Sequence, residues 1–598
     1  MLLHLVTTWI LLVNGSIHLS TAFSISLPIS LSDRKTHPTK WRPSSLWQSA
    51  IVSSTNKRKS RNSLYYIDPR RSDATVSPSA SASNSHIEWM QTISQNDQYE
   101  EALSEVLKAW KATDNNMTRS SLALLFVSPP WADELDKITA KAQELLGSQT
   151  QLITVVGGGI VGGGDEFENP TIHCMSFFGG ILPADSSVNI ESFVNDADDY
   201  PESGNNGQKR KTISPHNSQS INSFLVFADP YSANVERILE ECSCPSISQQ
   251  DHSSHCASSI VAGAVTVASH MHQSTLAVGN QVLPPGSLIR ARFSGNIGLQ
   301  VVVSKGCRPV GPTYRVTKVS GPAVLELDRM RAIDQLQETI ERDCNAKDKE
   351  YIQTKGMTKG VLGGMYREQD NIVDEQAVKG FMNEVAQDGA TITEPEDFVV
   401  RQITGFLPRS GGIVVCGRPQ AKPGDFFRFH VRSPSGALKD WSKILRRAKT
   451  ERLFLGSRAG EPLGALQFSC AARGEALFEE KNVDLHHVHD LIRKTTEENK
   501  TSQSILNDSC KKVPLVAGFF ANAEISAVGN SIRMGANPDS ISSQQKSFVH
   551  GYATVVAVIC DYSKRNAEQH EKSPFASTEL NEIEAIGIMN SNSSEVWA

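Results

Sequence analysis

The chain is predicted to be a mixed α/β protein, with two tandem sheet-and-helix domains behind a leader that stays unfolded. Three observations carry this. Short apolar runs alternate with helical periodicities from residue 87 to residue 562. Polar or low-complexity stretches interrupt them at both ends, near 186–220 and over 343–394. Hydrophobic residues make up only 39% of the 598, modest for a chain folded throughout.

The elements follow in order. Leu103, Val106, Leu107 and Trp110 sit at helical spacing, which predicts a helix over 97–112. Residues 122–127 read as a buried strand stopped by Pro129-Pro130. Leu135, Ile138, Ala142 and Leu145 make a second helix that Gly147 ends, and 152–156 is another strand. Residues 186–220 read as an unfolded insertion. The strand–turn–helix pattern returns at 224–227, Asp229-Pro230 and Val235, Ile238 and Leu239. Strands are predicted at 260–267, 289–293 and 299–303, with a helix over 330–342. The first domain is therefore placed at 87–342, a charged junction at 343–394 and a second domain at 395–562. That domain has strands at 412–416 and 426–432 and helices at 437–448 and 483–495. A polar tail covers 563–598.

The first 86 residues read as a targeting device. Residues 2–13 are apolar but too short to span a membrane, which needs about 20 residues. With Ser20-Thr21-Ala22 at the cleavage positions they read as a signal peptide, 1–22. Residues 23–86 are basic, Ser-rich and acid-poor, with ten Lys or Arg against Asp33 and Asp68 up to residue 71. That is transit-peptide composition, so the expectation is a plastid reached by a bipartite, diatom-like leader. Plain secretion is the alternative.

Net charge is -6, so no overall field favours nucleic acid, and no membrane span is expected in the mature chain. Cys174, Cys416, Cys470 and Cys560 lie within apolar strands and read as reduced, packed thiols.

Three C-terminal segments are the most informative: Gly464-Ala465-Leu466-Gln467-Phe468-Ser469-Cys470-Ala471-Ala472-Arg473-Gly474, Gly518-Phe519-Phe520-Ala521-Asn522-Ala523-Glu524 and Phe548-Val549-His550-Gly551. Each is an apolar run that ends at small and polar residues, as a strand does at a pocket mouth. With Gly306-Cys307-Arg308-Pro309-Val310-Gly311-Pro312 and Phe227-Ala228-Asp229-Pro230 upstream, they resemble the FIST domain family. Ala523 departs from it, standing where the family usually has Gly, as do insertions near 186–220 and 242–259. The resemblance implies a two-part sensory module that binds small ligands, with amino acids or related metabolites as the suspected class. The F-box that some members add has no counterpart upstream of Ile87.

Several motifs suggest chemistry. Gly157-Gly158-Gly159-Ile160-Val161-Gly162 fits the dinucleotide fingerprint G-x-G-x-x-G, but the residues that follow cannot begin the helix it requires. Gly163-Gly164-Asp165-Glu166-Phe167 spells the diguanylate cyclase signature, without that family's preceding Arg or its Asp-rich segment. Cys242, Cys244, His252, His255 and Cys256 have zinc-ligand types in a pattern that matches no finger. Ser469, Cys470, Glu524 and His550 lack a nucleophile elbow.

Recognition fits better. Arg308 and Arg473 suit a carboxylate and Glu524 an ammonium group, with Ser469, Asn522, His550, Gly157 and Gly159 beside them. The alternative for Arg473 and Glu524 is a structural pair. The expected activity is ligand sensing, with a small polar metabolite and a protein as partners and no cofactor, metal or catalytic set. A Mg-dependent nucleotidyl cyclase and a ligand-free scaffold are the competing classes.

Overall fold

The computed structural model describes residues 89–112, 120–195, 222–243, 259–366, 398–417, 420–493, 515–527 and 547–564. The leader, the tail beyond 564 and the zinc candidates other than Cys242 lie outside them.

The strands fall into three copies of one module. The first holds β1 (Trp89–Ser94), β2 (Ser121–Val127), β3 (Thr150–Val156), β4 (Ile160–Gly162), β5 (Asp165–Phe167) and β6 (Met175–Ile181). The second holds β7 (Ser187–Phe193), β8 (Asn222–Ala228), β9 (Ser259–Val265), β10 (Leu276–Val278), β11 (Gln281–Val282) and β12 (Leu288–Ser294). The third opens with β13 (Ile297–Lys305). A fourth sheet then intervenes, made of β14 (Cys307–Ser320), β15 (Ala323–Leu327), β16 (Met330–Arg331), β17 (Val361–Tyr366), β18 (Val399–Leu407), β19 (Gly412–Val415) and β20 (Phe426–Arg432). The third module resumes with β21 (Glu461–Cys470), β22 (Val516–Ala521), β23 (Ala523–Ala527), β24 (Ser547–His550) and β25 (Ala553–Asp561).

Three six-stranded sheets share one order: β1-β6-β2-β3-β10-β11, β7-β12-β8-β9-β23-β24 and β13-β25-β21-β22-β4-β5. In each, a parallel pair lies at the centre: β2 with β3, β8 with β9, and β21 with β22. Each module hands a hairpin to a neighbour: the first gives β4–β5 to the third sheet, the second gives β10–β11 to the first, and the third gives β23–β24 to the second. Strands from before residue 342 and after 395 thus share two of these sheets within the unit Ile87–Ala598.

Helices cover the outer faces. They are α1 (Tyr99–Val106), α2 (Lys108–Ala112), α3 (Leu135–Leu146), α4 (Val235–Ser243), α5 (Ala332–Asp343), α6 (Ala346–Lys355), α7 (Pro434–Leu455) and α8 (Val483–Ile492). α3 fits its apolar spacing, burying Leu135, Ile138, Ala142 and Leu146, and Gly147 at φ +80 stops it. α7 has Ser433 as its cap and Pro434 in the first turn, so it starts before the predicted 437. The inner faces meet in one core, where Phe126, Phe227 and Phe468 come from matching positions of the three parallel pairs. Phe519 joins them with ring centroids 5.4 Å from Phe468 and 5.6 Å from Phe126.

Two expectations are corrected. Residues 187–193 form an edge strand on β12 rather than part of an unfolded insertion. Val188 turns into the core, Ile190 packs against it and polar residues alternate between them, a period-2 pattern that the surrounding Asp and Asn obscure. The expected junction contains α6 and β17, and β17 pairs with both β18 and β20.

Candidate functional site

Register gives each position in one sheet its counterpart in the other two. On the outer face one row reads Leu125, Thr154, Ala277 and Val282 in the first sheet. In the second it reads Val226, Gly263, Ile525 and Val549. In the third it reads Gln467, Gly518, Val161 and Glu166. Two residues along β21, Ser469 pairs with Thr554, where the sister sheets pair Val127 with Met175 and Ala228 with Leu288. Leu125, Val127, Met175, Val226, Ala228 and Leu288 all pack in apolar clusters under their helices. This fold therefore packs these positions with apolar residues twice and with polar ones once.

The polar residues form a continuous buried network. Gln467 Nε2 donates to Glu166 Oε1 at 2.6 Å and to Ser469 Oγ at 3.0 Å. Ser469 and Thr554 share a hydrogen bond of 3.0 Å, and Thr554 donates to Asp484 Oδ2 at 2.7 Å. Asp484, in the first turn of α8, also accepts from Trp441 at 2.8 Å and from both Nε and Nη2 of Arg473 at 2.7 Å. Arg473 closes the chain on Ser304, its Nη1 donating to the carbonyl at 3.2 Å and its Nη2 to Oγ at 3.1 Å. Burial would raise Asp484, but Arg473 and the other donors hold it below the usual carboxylate range. Burial, then the charge of Asp484, pushes Glu166 up to about 8.

A second departure from the repeat lies on the inner face. Glu524 pairs with Ala264 of β9, as Ile160 pairs with Phe519 and Leu276 with Val155. Its cross-strand neighbour is His550, where the hairpin in the third sheet has Phe167. Glu524 is fully buried. Its Oε2 accepts from the Ala553 amide at 3.1 Å, and its Oε1 has no partner among the described residues. Burial pushes this carboxyl well above its usual range, against the Ala553 bond and the charge of Arg473. Burial lowers His550 to about 4, so its neutral ring donates from Nε2 to the Ser526 carbonyl at 2.9 Å. Burial and then Glu524 push the Cys470 thiol up to about 12, far from a nucleophile's range.

The fourth sheet closes over this end. Arg432 of β20 donates to the Ala472 carbonyl, and its guanidinium lies over the ring of Tyr552, at 5.1 Å, and over that of Tyr351, at 5.6 Å. Tyr552 holds φ +60, a left-handed conformation rare for an aromatic residue, and the Gly306 amide donates to its carbonyl at 2.8 Å. Cys307, Leu362, Val400 and Tyr552 form the apolar floor.

The expected site residues separate accordingly. Glu524 and His550 stand together, with half-buried Asn522 at the crossing from β22 to β23. Ser469 belongs to the outer network. Arg473 is corrected from ligand contact to internal partner: its Nε, Nη1 and Nη2 all donate to protein oxygens, and its acid is Asp484, not Glu524. Arg308 is likewise corrected, since it pairs with Asp348 in the capping box of α6. Gly157 and Gly159, expected beside a ligand, are packed against protein atoms. They let the chain cross from the first sheet to the third, where a Cβ at Gly157 would overlap Phe519 and one at Gly159 would lie 2.6 Å from the Phe167 carbonyl.

Gly163 and Gly164, at φ +62 and +87, make the two-residue turn of hairpin β4–β5, and Ile160 opens a strand rather than a dinucleotide helix. Asp165 is exposed on Asn482 while Glu166 is buried, so the two acids do not share a face as metal ligands would. Among the described residues no group of three His, Cys, Asp or Glu is placed to hold a metal. Sequence reasoning missed Asp484, Thr554, Arg432, Tyr351 and Tyr552. Only Gln467, a polar residue inside an apolar run, carries a local signal.

Among the described residues no helix is long and apolar enough to cross a membrane. Residues 121–330 match the FIST N domain and residues 364–527 the FIST C domain, domains regarded as sensory, ligand-binding and signal-transducing. An uncharacterized protein of Mycobacterium tuberculosis is 27% identical over 305 residues, or 51% of this chain and 63% of that protein. An uncharacterized protein of Mycobacterium bovis is 26% identical over 302 residues, 50% of this chain and 60% of that one. The chain thus spans less than two thirds of the length of these relatives. With both domain matches in order and together covering more than half of its length, the chain belongs to the FIST domain family.

Proposed function

We propose that this chain is a sensor for a small polar metabolite, an amino acid or a close relative, bound where β23–β24, the end of β21 and β20 converge. The supporting observation is Glu524, a fully buried carboxyl with an unpartnered oxygen at a position where the same fold twice places an aliphatic residue. An unpartnered buried acceptor costs about 1–3 kcal/mol, and a ligand ammonium group would offset that cost. Arg432, planar and flanked by Tyr351 and Tyr552, is the candidate partner for the ligand's carboxylate. Signal output would pass to a protein partner through the fourth sheet, which supplies Arg432.

A thermal-shift screen of residues 87–598 against amino acids, organic acids and nucleotides tests this. A ligand at 100 times its dissociation constant stabilises by about 2.7 kcal/mol. A shift with an amino acid that disappears in Glu524→Gln supports the reading. A response to nucleotides alone would count against it, and silence throughout would favour a scaffold. We also propose that residues 1–86 deliver the chain to a plastid.

A further inference from the structure

The outer network leaves two oxygens bare. Gln467 Nε2 donates to Glu166 Oε1, yet Glu166 Oε2 and Gln467 Oε1 are both buried with no partner among the described residues. Both side chains are at least nine-tenths buried and stand where the sister sheets have Leu125, Val226, Val282 and Val549. Two acceptors cannot satisfy each other, and an amide cannot supply a second donor in that direction. A hydrogen on Glu166 Oε2 makes that oxygen a donor, and Gln467 Oε1 is the bare acceptor on its own hydrogen-bond partner.

We propose that Glu166 and Gln467 form a buried proton-binding site, in which Glu166 is a carboxylic acid and the proton, taken from solvent on folding, completes an acid–amide pair. Burial and the neighbouring acids favour this; the Gln467 hydrogen bond and the Leu485 backbone amide of α8 oppose it and are outweighed. The charged groups acting on Glu166 are Asp484 from α8 and Glu168 downstream of β5, both acids. Arg473 is committed to Asp484, Asp165 is exposed on Asn482, and Ser469 and Val161 are neutral. Burial and those acids raise Glu166 to about 8. The site holds a hairpin of the first module onto the third, so that contact titrates near neutrality.

The sign follows from linkage. The folded chain keeps the proton up to about pH 8, whereas an unfolded glutamate releases it near the ordinary 4.5. The stabilising contribution is complete below that lower value and is lost as pH rises to about 8, by about tenfold in the folding constant per pH unit. Glu166→Gln mimics the protonated acid at every pH.

Unfolding of the full chain and of Glu166→Gln across pH 5–9 tests the proposal. The expected result is a variant that gains on the natural chain by about tenfold per unit between pH 5 and 8, with a constant difference above. A variant weaker than the natural chain by the same factor at every pH would overturn it. If Glu166→Gln does not fold, NMR of the natural chain carrying 13Cδ-glutamate replaces it, with Glu168→Gln and Glu524→Gln removing the other glutamates that burial raises. A remaining resonance that titrates near pH 8 is expected, and one ionised at pH 6 overturns the proposal.

Discussion

Glu524 and Leu276 occupy one structural position: each is the inner-face residue of a donated hairpin that pairs with the second strand of a parallel pair, Glu524 on Ala264 and Leu276 on Val155. The fold thus contains its own control for what an apolar residue does there. The difference between the two residues marks where the third module departs from packing alone.

Glu524→Gln keeps an acceptor for the Ala553 amide and removes the ionisable group. Glu524 is raised above its usual value, so its stabilising contribution is present below the unfolded value and is lost as pH rises. The expected variant is at least as stable as the natural chain at pH 7.5 and binds ligand at least about tenfold more weakly, the loss of one charge-assisted hydrogen bond. Calorimetric titration and thermal unfolding read the two effects separately.

Arg473→Ala should behave as a stability mutation. It leaves Asp484 charged and buried, which costs about 3–5 kcal/mol. Arg473→Met with Asp484→Leu should recover part of that loss, because neither charge remains. Denaturant unfolding of the single and double variants checks the prediction; an Arg473→Ala chain as stable as the natural one would contradict the network.

Gly157→Ala places a methyl group on Phe519 at the crossing between sheets and should cost about 1–3 kcal/mol by overpacking. At Gly321, φ +55 with open space around it, alanine should cost only the left-handed backbone preference, about 1–2 kcal/mol. Melting temperatures of both variants would show whether the first glycine of the Gly-rich run serves packing.

Arg432→Lys keeps the charge and loses the planar group that contacts the rings of Tyr351 and Tyr552. Ligand affinity should fall, because lysine cannot make the bidentate contact. Unchanged affinity would separate Arg432 from the binding site.

Residues 1–75 fused to a fluorescent reporter should direct it to plastids in a diatom. Reporter in the medium would replace the plastid proposal with secretion.

Strands such as β2, β3, β8 and β9 were legible because they are apolar runs bounded by turn residues. β7 was not, because an edge strand with polar alternate positions looks like its polar surroundings. The modules were hidden for another reason. Their common features are register relationships, and register partners such as Glu524 and Ala264 come from different modules.

By itself the sequence determined the mixed α/β class, the family and the central parallel strands of the three modules, since each is written in local patterning or a contiguous motif. Only the tertiary structure decided that Arg473 is an internal partner, that the Gly-rich run is a crossing and that Glu166 meets Gln467 across 301 residues of chain. Such pairings arise from exchanged hairpins. A side chain's partner is then set by which sheet its strand joins, and no local sequence pattern encodes that choice.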